Sequence, residues 1–268
     1  MLKDITLGQY FPGNSIAHKL DPRTKILLVT LYIIALFSAK GWMGYAVMAV
    51  TLAACVKVSH VGLRALVRGL KPLVFIIAFT GILNMFFTPD THYLWEWGIL
   101  RVSVKGIENA LFMVIRIMLL VMGTFLMTYT TSPIRLTDGL ESLLNPLKKI
   151  HVPVHELAMM MAIALRFIPT LIEETDKIMS AQKARGADFD SGNIFQKAKA
   201  LVPILVPLFI SAFRRADELA TAMECRCYHG GEGRTKLHVL KYQRRDYVAL
   251  AGGAVILVPV SYTHLRAH

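Results

Sequence analysis

The chain has 268 residues, of which 54% are hydrophobic and only 18% are charged, and its mean hydropathy is +0.49. A soluble domain is usually nearer a quarter charged, so this composition argues against a soluble globular enzyme and against a disordered chain. The net charge of +12 is typical of a membrane protein whose basic loops meet anionic lipid, and it does not require nucleic acid as a partner. Three cysteines, two of them separated by a single residue, argue against a disulfide framework.

Apolar runs predict about five transmembrane helices, and therefore an all-α integral membrane protein. The first two runs, Ile26–Ala39 and Trp42–Val56, are shorter than the roughly 20 residues that a spanning helix needs. Lysines at their ends (Lys25, Lys40 and Lys57) can extend the usable length by snorkelling, and a tight turn is expected near Lys40 and Gly41. The five runs are Ile26–Ala39, Trp42–Val56, Pro72–Phe87, Ile107–Thr130 and Tyr247–Val260.

Charge divides the chain into three parts. Residues 1–130 are predicted to form a membrane domain with four spans, residues 131–246 a charged and largely helical insert, and residues 247–268 a last span. The insert holds 17 of the 30 Lys and Arg residues and 13 of the 18 acids. The positive-inside rule places the N-terminus, the insert and the basic loop Lys57–Lys71 in the cytoplasm, where that loop would face lipid. The last run ends abruptly, as a truncated or foreign end would, and we assign no function to residues 261–268.

Two long helices are predicted in the insert, after a short amphipathic helix at Pro133–Leu144. They cover Val154–Gly186 and, approximately, Asn193–Cys227. Each has an apolar first half, a charged second half and an arginine just before a glycine-bearing break. The helix dipole favours a cation at that end, and a guanidinium can hold a carboxylate with two hydrogen bonds. Each helix is therefore predicted to be a stiff lever that ends in a fixed positive group. The alternative, a helix-end charge that is simply solvated, is weakened because the arrangement occurs twice.

Several stretches of the sequence resemble the transmembrane component of energy-coupling factor transporters, and the resemblance covers almost the whole chain. They are Gly8–Lys25, Ala164–Pro169 and Gln182–Asp188. The tripeptide Ala184-Arg185-Gly186 matches the family's first Ala-Arg-Gly motif. At the position of the second motif, Cys225-Arg226-Cys227 keeps only the arginine. The candidate site residues are therefore Ala184, Arg185, Gly186, Cys225, Arg226 and Cys227.

The resemblance implies a non-catalytic coupling subunit of an ATP-driven importer of a micronutrient, either a vitamin or a metal. Two cytoplasmic ATP-binding cassette ATPase subunits would bind ATP and Mg, and this chain would bind neither. Two crossed coupling helices would place Arg185 and Arg226 in acidic grooves of one ATPase each. The movement of these helices would be transmitted to a small substrate-binding membrane subunit, the S component. The different flanks of the two arginines favour two different ATPases.

The fourth apolar run contains two charged residues, Glu108 and Arg116, which lie about two helical turns apart. A charge inside a membrane run is a functional hypothesis by default. We expect Arg116 to pair with a neighbouring helix or with the S component, and Glu108 to lie near the headgroups. Ion translocation is less favoured because a relay needs more titratable groups.

Other chemical signals in the sequence are weak. The glycine-rich stretch Gly230–Thr235 lacks the spacing of a phosphate-binding loop, so we expect no ATP hydrolysis by this chain. Cys225, Cys227 and His229 look like part of a metal site, but no second ligand cluster accompanies them. The alternative function is a self-contained secondary transporter or channel. Such a protein would be expected to show inverted repeats and broken midplane helices, and neither is visible.

Overall fold

The structure, a computed structural model, describes residues 10–39, 41–88, 93–97, 100–187, 189, 193–230 and 239–265. These residues belong to two compact units. The first unit combines Gly8–Gly139 with Leu240–His268, and the second unit is formed by Leu140–Val239. Apart from one two-stranded hairpin, the described elements are helices, so the prediction of an all-α membrane protein is confirmed.

Ten α-helices and two strands follow one another in the described residues. In chain order they are α1 Ile16–Lys19, α2 Pro22–Ser38, α3 Gly41–Ser59, α4 Leu63–Leu70, α5 Val74–Phe87, β1 Tyr93–Trp97, β2 Leu100–Ser103, α6 Val104–Thr130, α7 Pro133–Leu144, α8 Val154–Ala184, α9 Ile194–Cys225 and α10 Arg244–Leu265. The two strands pair antiparallel. Short 3₁₀ turns at Lys71–Leu73 and Asn145–Ile150 follow α4 and α7.

Among the described residues, five helices are long and apolar enough to cross a membrane, which is the predicted number, although they are not the same five. Helix α3, α4 continued by α5, and α6 agree with three predicted spans. The other two are α8 and α9, whose first halves are apolar. The first and last predicted runs lie in α2, which has 17 residues, and α10, which has 22, and neither is among the five.

The core of the first unit lies between α2, α3 and α6. Leu36 and Met48 are fully buried there, and Leu119 of α6 packs with them. Helices α2 and α6 approach closely at Gly123, where an added Cβ would lie 2.6 Å from the ring of Tyr32. The expected turn between α2 and α3 is confirmed, since Gly41 starts α3 with a φ of +68°, which glycine adopts without strain.

Lys25 does not snorkel, contrary to the sequence-based expectation. Its side chain is buried, and Nζ donates to the carbonyl oxygen of Thr130 at 2.8 Å and to Oγ1 of Thr131 at 3.0 Å. The last carbonyl groups of a helix have no partner within the helix, so a cation at the end of α6 supplies a donor that the backbone cannot. Lys25 therefore ties α2 to the end of α6.

Buried Asp246 connects the start of α10 to the start of α2. One of its carboxylate oxygens accepts from the backbone N–H of Asp21 at 2.9 Å, and the other accepts from the backbone N–H of Gln243 at 2.8 Å. Asp21 in turn caps α2 by accepting from the N–H of Arg23. The C-terminal helix is thereby packed against the first apolar helix of the chain.

In the second unit, α8 and α9 run antiparallel to each other. Gln182, near the end of α8, donates to the carbonyl oxygen of Pro203 at 3.3 Å. Two turns earlier in α8, Glu174 contacts Ser211 and Arg215, which lie two to three turns further along α9. Both helices begin and end within two residues of their predicted bounds, with prolines accommodated inside them.

Candidate functional site

The end of α8 presents Arg185 on an ordered helix cap. Gly186 has a φ of +88°, its N–H donates to the carbonyl of Lys183 at 3.0 Å, and the N–H of Ala187 donates to the carbonyl of Gln182 at 3.0 Å. These two bonds define a Schellman cap, in which a left-handed residue ends the helix and satisfies its last carbonyls. Arg185 is thus the last residue before the chain reverses.

The end of α9 has the same backbone arrangement, although its sequence differs. Cys227 occupies the position of the glycine, with a φ of +55°, and its N–H donates to the carbonyl of Glu224 at 2.8 Å. The N–H of Tyr228 donates to the carbonyl of Met223 at 3.0 Å. Arg226 therefore occupies the same cap position as Arg185. Although the second motif keeps only its arginine, the backbone geometry of the cap is retained.

Both cap arginines are exposed. Within the described part of the chain, neither guanidinium has an ion pair or a hydrogen bond, so both are available to another molecule. Gln182 of α8 lies beside Pro203 of α9, and the helices are antiparallel, so Arg185 lies beside about residue 200 of α9. From that point, about 26 residues of α9 lead to Arg226. The two arginines are therefore roughly 35–40 Å apart along the helix pair. Such a distance suits two separate binding sites better than one shared site.

An ion pair that the sequence reading missed connects the two helices between these ends. Glu174 of α8 accepts from Ser211 Oγ at 2.6 Å and from Arg215 Nη2 at 2.7 Å. The hydrogen bond from Ser211, together with that from Arg215 and its charge, lowers the pKa of Glu174 below its ordinary value. Arg214 and Glu218 of α9 are four residues apart, a spacing at which two residues of one helix can pair. The described residues contain no such pair, and the neighbouring arginine pairs across the helices instead.

Arg116 lies half-buried on α6 and is held by an aromatic side chain. Its Nε and Nη2 donate to Oη of buried Tyr45 at 2.9 and 2.6 Å. Its guanidinium also lies 5.7 Å from the ring centres of both Phe37 and Tyr45, within cation–π distance. Glu108 is exposed on the same helix and is not brought to Arg116. The expected contact of Arg116 with the S component stays a prediction.

The candidate metal ligands near the end of α9 do not form a cluster. His229 Nδ1 lies 2.8 Å from the backbone carbonyl of Cys227, and the side chains of Cys225, Cys227 and His229 are exposed. Among the described residues, no three His, Cys, Asp or Glu side chains are grouped as a metal ion requires. Most of the glycine-rich stretch that follows, residues 231–235, lies outside the described residues.

The N-terminal stretch that carries part of the family resemblance packs on the end of α6. The N–H of Phe11 donates to the carbonyl of Tyr129 at 3.0 Å, and the two rings meet edge to face. Buried His18 holds this stretch through Ser15 Oγ at 2.6 Å and the carbonyl of Phe11 at 2.9 Å. Its first residues, Gly8 and Gln9, lie outside the described residues.

Comparison with known proteins identifies the class of this helical protein, whose two paired helices carry exposed arginine caps. A family model described as the cobalt transport protein CbiQ matches residues 13–237. The energy-coupling factor transporter transmembrane protein EcfT of Clostridium kluyveri is 55% identical over 97% of both chains. The protein of the same name from Ruminiclostridium cellulolyticum is 54% identical over 96% of both chains. The one from Bacillus subtilis is 48% identical over 92% of this chain and 93% of its own. The chain belongs to this family and is a transmembrane component of an energy-coupling factor transporter.

Proposed function

We propose that the chain is the non-catalytic coupling subunit of an ATP-driven importer of a vitamin or a metal. In this proposal it transmits movements of two cytoplasmic ATPase subunits to a substrate-binding S component in the membrane. The observation that carries the proposal is the pair of equivalent arginine caps at the opposite ends of α8 and α9. ATP and Mg would be bound by the partner ATPases.

The caps suit binding to an acidic groove. A guanidinium is permanently charged and can hold a carboxylate with two parallel hydrogen bonds. Because Arg185 and Arg226 precede left-handed residues with satisfied backbone bonds, their positions are determined by the helices rather than by flexible loops. Arginines that become buried in a partner are frequent hot spots, and losing one typically costs about 2–4 kcal/mol of binding free energy.

The ion pair between α8 and α9 supports transmission of force. Glu174 with Ser211 and Arg215 connects the two helices midway between their caps. A displacement at either arginine would therefore be passed to the other helix through a hydrogen-bonded contact as well as through packing. This connection lets two ATPases act on one mechanical element.

The first half of α9 supports contact with another membrane subunit. Its exposed apolar residues recur at spacings of four, three and four, which places them on one face of the helix. Phe209 and Phe213 are 61% and 73% exposed. In this proposal that face meets the S component, and the charged second halves of α8 and α9 meet the ATPases in the cytoplasm. The residues of the face are Val202, Val206, Phe209 and Phe213.

Charge reversal at the caps tests the proposal. The complex of the chain with its two ATPases and an S component is reconstituted in vesicles, and ATP-dependent uptake is measured together with ATPase co-purification. Arg185→Glu is expected to release or uncouple one ATPase and Arg226→Glu the other, each with a loss of uptake of at least tenfold. Lys149→Glu, which makes the same charge change at an exposed position that belongs to neither cap, is the matched control.

Uptake that survives the double charge reversal would refute the coupling role of the arginines. A second arm contains vesicles with this chain alone. Solute movement there, without any ATPase, would favour the alternative of a self-contained transporter or channel. A folded double variant, checked by thermal unfolding in detergent, separates loss of coupling from loss of structure.

A further inference from the structure

One face of α4 and α5 carries cations at its start and aromatic side chains further along. Arg64, Arg68 and Lys71 follow at spacings of four and three residues, so they share a face over about 10 Å. All three are exposed. Phe75 and Phe79 continue this face with 78% and 54% exposure, and their rings stack 6.4 Å apart.

The opposite face of α4 is packed against α6. Tyr129 Oη donates to the carbonyl of Ala65 at 3.4 Å, and an added Cβ at Gly69 would lie 2.5 Å from the ring of Phe125. These contacts run antiparallel along the last turns of α6. The cations therefore lie beside the end of a membrane-spanning helix and on the side that faces away from the protein.

The charge of this face is not balanced among the described residues. Among the described residues, no ion pair involves Arg64, Arg68 or Lys71. The sequence contains no Asp or Glu between Asp21 and Asp90, so the two helices and their neighbours α2 and α3 offer no carboxylate nearby in sequence. Cations at the edge of the apolar part of a membrane are accommodated when they reach anionic headgroups.

We propose that this face is a binding site for an anionic phospholipid. Arg64, Arg68 and Lys71 hold the phosphate headgroup, and an acyl chain lies along the exposed rings of Phe75 and Phe79. Basic clusters at the cytoplasmic edge of membrane helices recognise anionic headgroups in this way. None of its residues belongs to the arginine caps, and the proposal stands whether or not the coupling proposal is correct.

Lipid retention by the purified full-length chain tests the site. Native mass spectrometry in detergent is used to titrate phosphatidylglycerol and, separately, phosphatidylcholine. The triple variant Arg64→Gln, Arg68→Gln and Lys71→Gln is expected to bind phosphatidylglycerol about 100-fold more weakly, since each cation contributes about fivefold. Binding of phosphatidylcholine is expected to stay the same.

Two further variants distinguish a site from a general charge effect. A control variant loses the same number of positive charges at other exposed positions, through Lys148→Gln, Lys149→Gln and Lys197→Gln. Its phosphatidylglycerol binding is expected to stay within twofold of the parent's. Arg64→Lys with Arg68→Lys keeps the charge and is expected to retain most of the binding. The site is refuted if the folded triple variant binds phosphatidylglycerol as the parent does, or if the control loses as much. Should the triple variant not fold, the single change Arg68→Gln must still weaken binding about fivefold, and an unchanged affinity refutes the site.

Discussion

We expect Gly186→Ala to destabilise the cap of α8 and Cys227→Gly to stabilise the cap of α9. At Gly186, where φ is +88°, a Cβ would meet no atom within 4 Å, so the cost of Gly186→Ala comes from the backbone alone. A residue with a side chain costs about 1–2 kcal/mol in the left-handed region, and the less flexible unfolded chain returns part of this cost. The net destabilisation of the cap is therefore about 1 kcal/mol. Cys227 already bears this cost at a φ of +55°, so Cys227→Gly should stabilise its cap by a similar amount.

Hydrogen exchange measures the effect where it arises. A change of about 1 kcal/mol alters the opening constant of the last helical turn about fivefold. In Gly186→Ala, the amides of residues 186 and 187 should exchange about fivefold faster. In Cys227→Gly, the amides of residues 227 and 228 should exchange about fivefold more slowly. These are the amides that donate the two cap hydrogen bonds at each helix end.

A thiol effect is separated from a backbone effect by Cys225→Ala. This change removes a neighbouring exposed thiol within the helix and places no residue in the left-handed region. It should leave exchange at residues 227 and 228 nearly unchanged. If Cys227→Gly exchanges at the parent's rate or faster, the end of α9 is not held in the cap that we describe, and the equivalence of the two arginines loses its structural basis.

Two further predictions concern contacts that hold the helices. Because the pKa of Glu174 is lowered in the folded protein, its contribution to stability is complete above the ordinary carboxyl pKa and is lost as the pH falls through the lowered value. Thermal unfolding in detergent between pH 7 and pH 3 should therefore depend less on pH in Glu174→Gln, and an unchanged profile would contradict the role of the ion pair. Tyr45→Phe removes the acceptor for two donors of Arg116 and should lower the free energy of unfolding by about 1.5–3 kcal/mol. Tyr32→Phe is the comparison, because it removes a hydrogen bond to a neutral carbonyl, and it should lower the free energy of unfolding by about 1 kcal/mol. Equal losses in the two variants would argue against a charge-assisted hydrogen bond between Arg116 and Tyr45.

The helices that are long and apolar enough to cross a membrane include α8 and α9 and exclude α2 and α10, which the sequence did not predict. Hydropathy predicts apolar helices, and three of the predicted spans coincide with helices that are long and apolar enough to cross a membrane. It does not distinguish an apolar helix that crosses lipid from one whose apolar face meets another protein. The first halves of α8 and α9 are apolar enough to satisfy the criterion for a span, although the charge pattern assigned both helices to the insert. Local charge, which decides the difference, is concentrated in their second halves.

Partners of the charged residues could not be read from spacing. Within one helix, residues four apart are neighbours, which suggested Arg214 with Glu218. The observed pair joins Glu174 to Arg215, 41 positions apart in the chain, and depends on how α9 is rotated against α8. Likewise, Lys25 was expected at the lipid surface and lies instead against the end of α6, because long-range packing brought unpaired carbonyls to it.

Composition, periodicity and helix-end signals, all of which are local properties of the chain, determined that this is a helical membrane protein whose two long helices each end in an arginine. They also predicted that each helix ends after its arginine, because Gly186 directly follows Arg185 and Gly230 lies four residues after Arg226. Only the tertiary structure decided that Cys227 takes the left-handed conformation of Gly186, that the two helices are antiparallel, and that their arginines therefore lie far apart. Those features arise from hydrogen bonds and packing between segments that are distant in sequence, and a local pattern does not contain them.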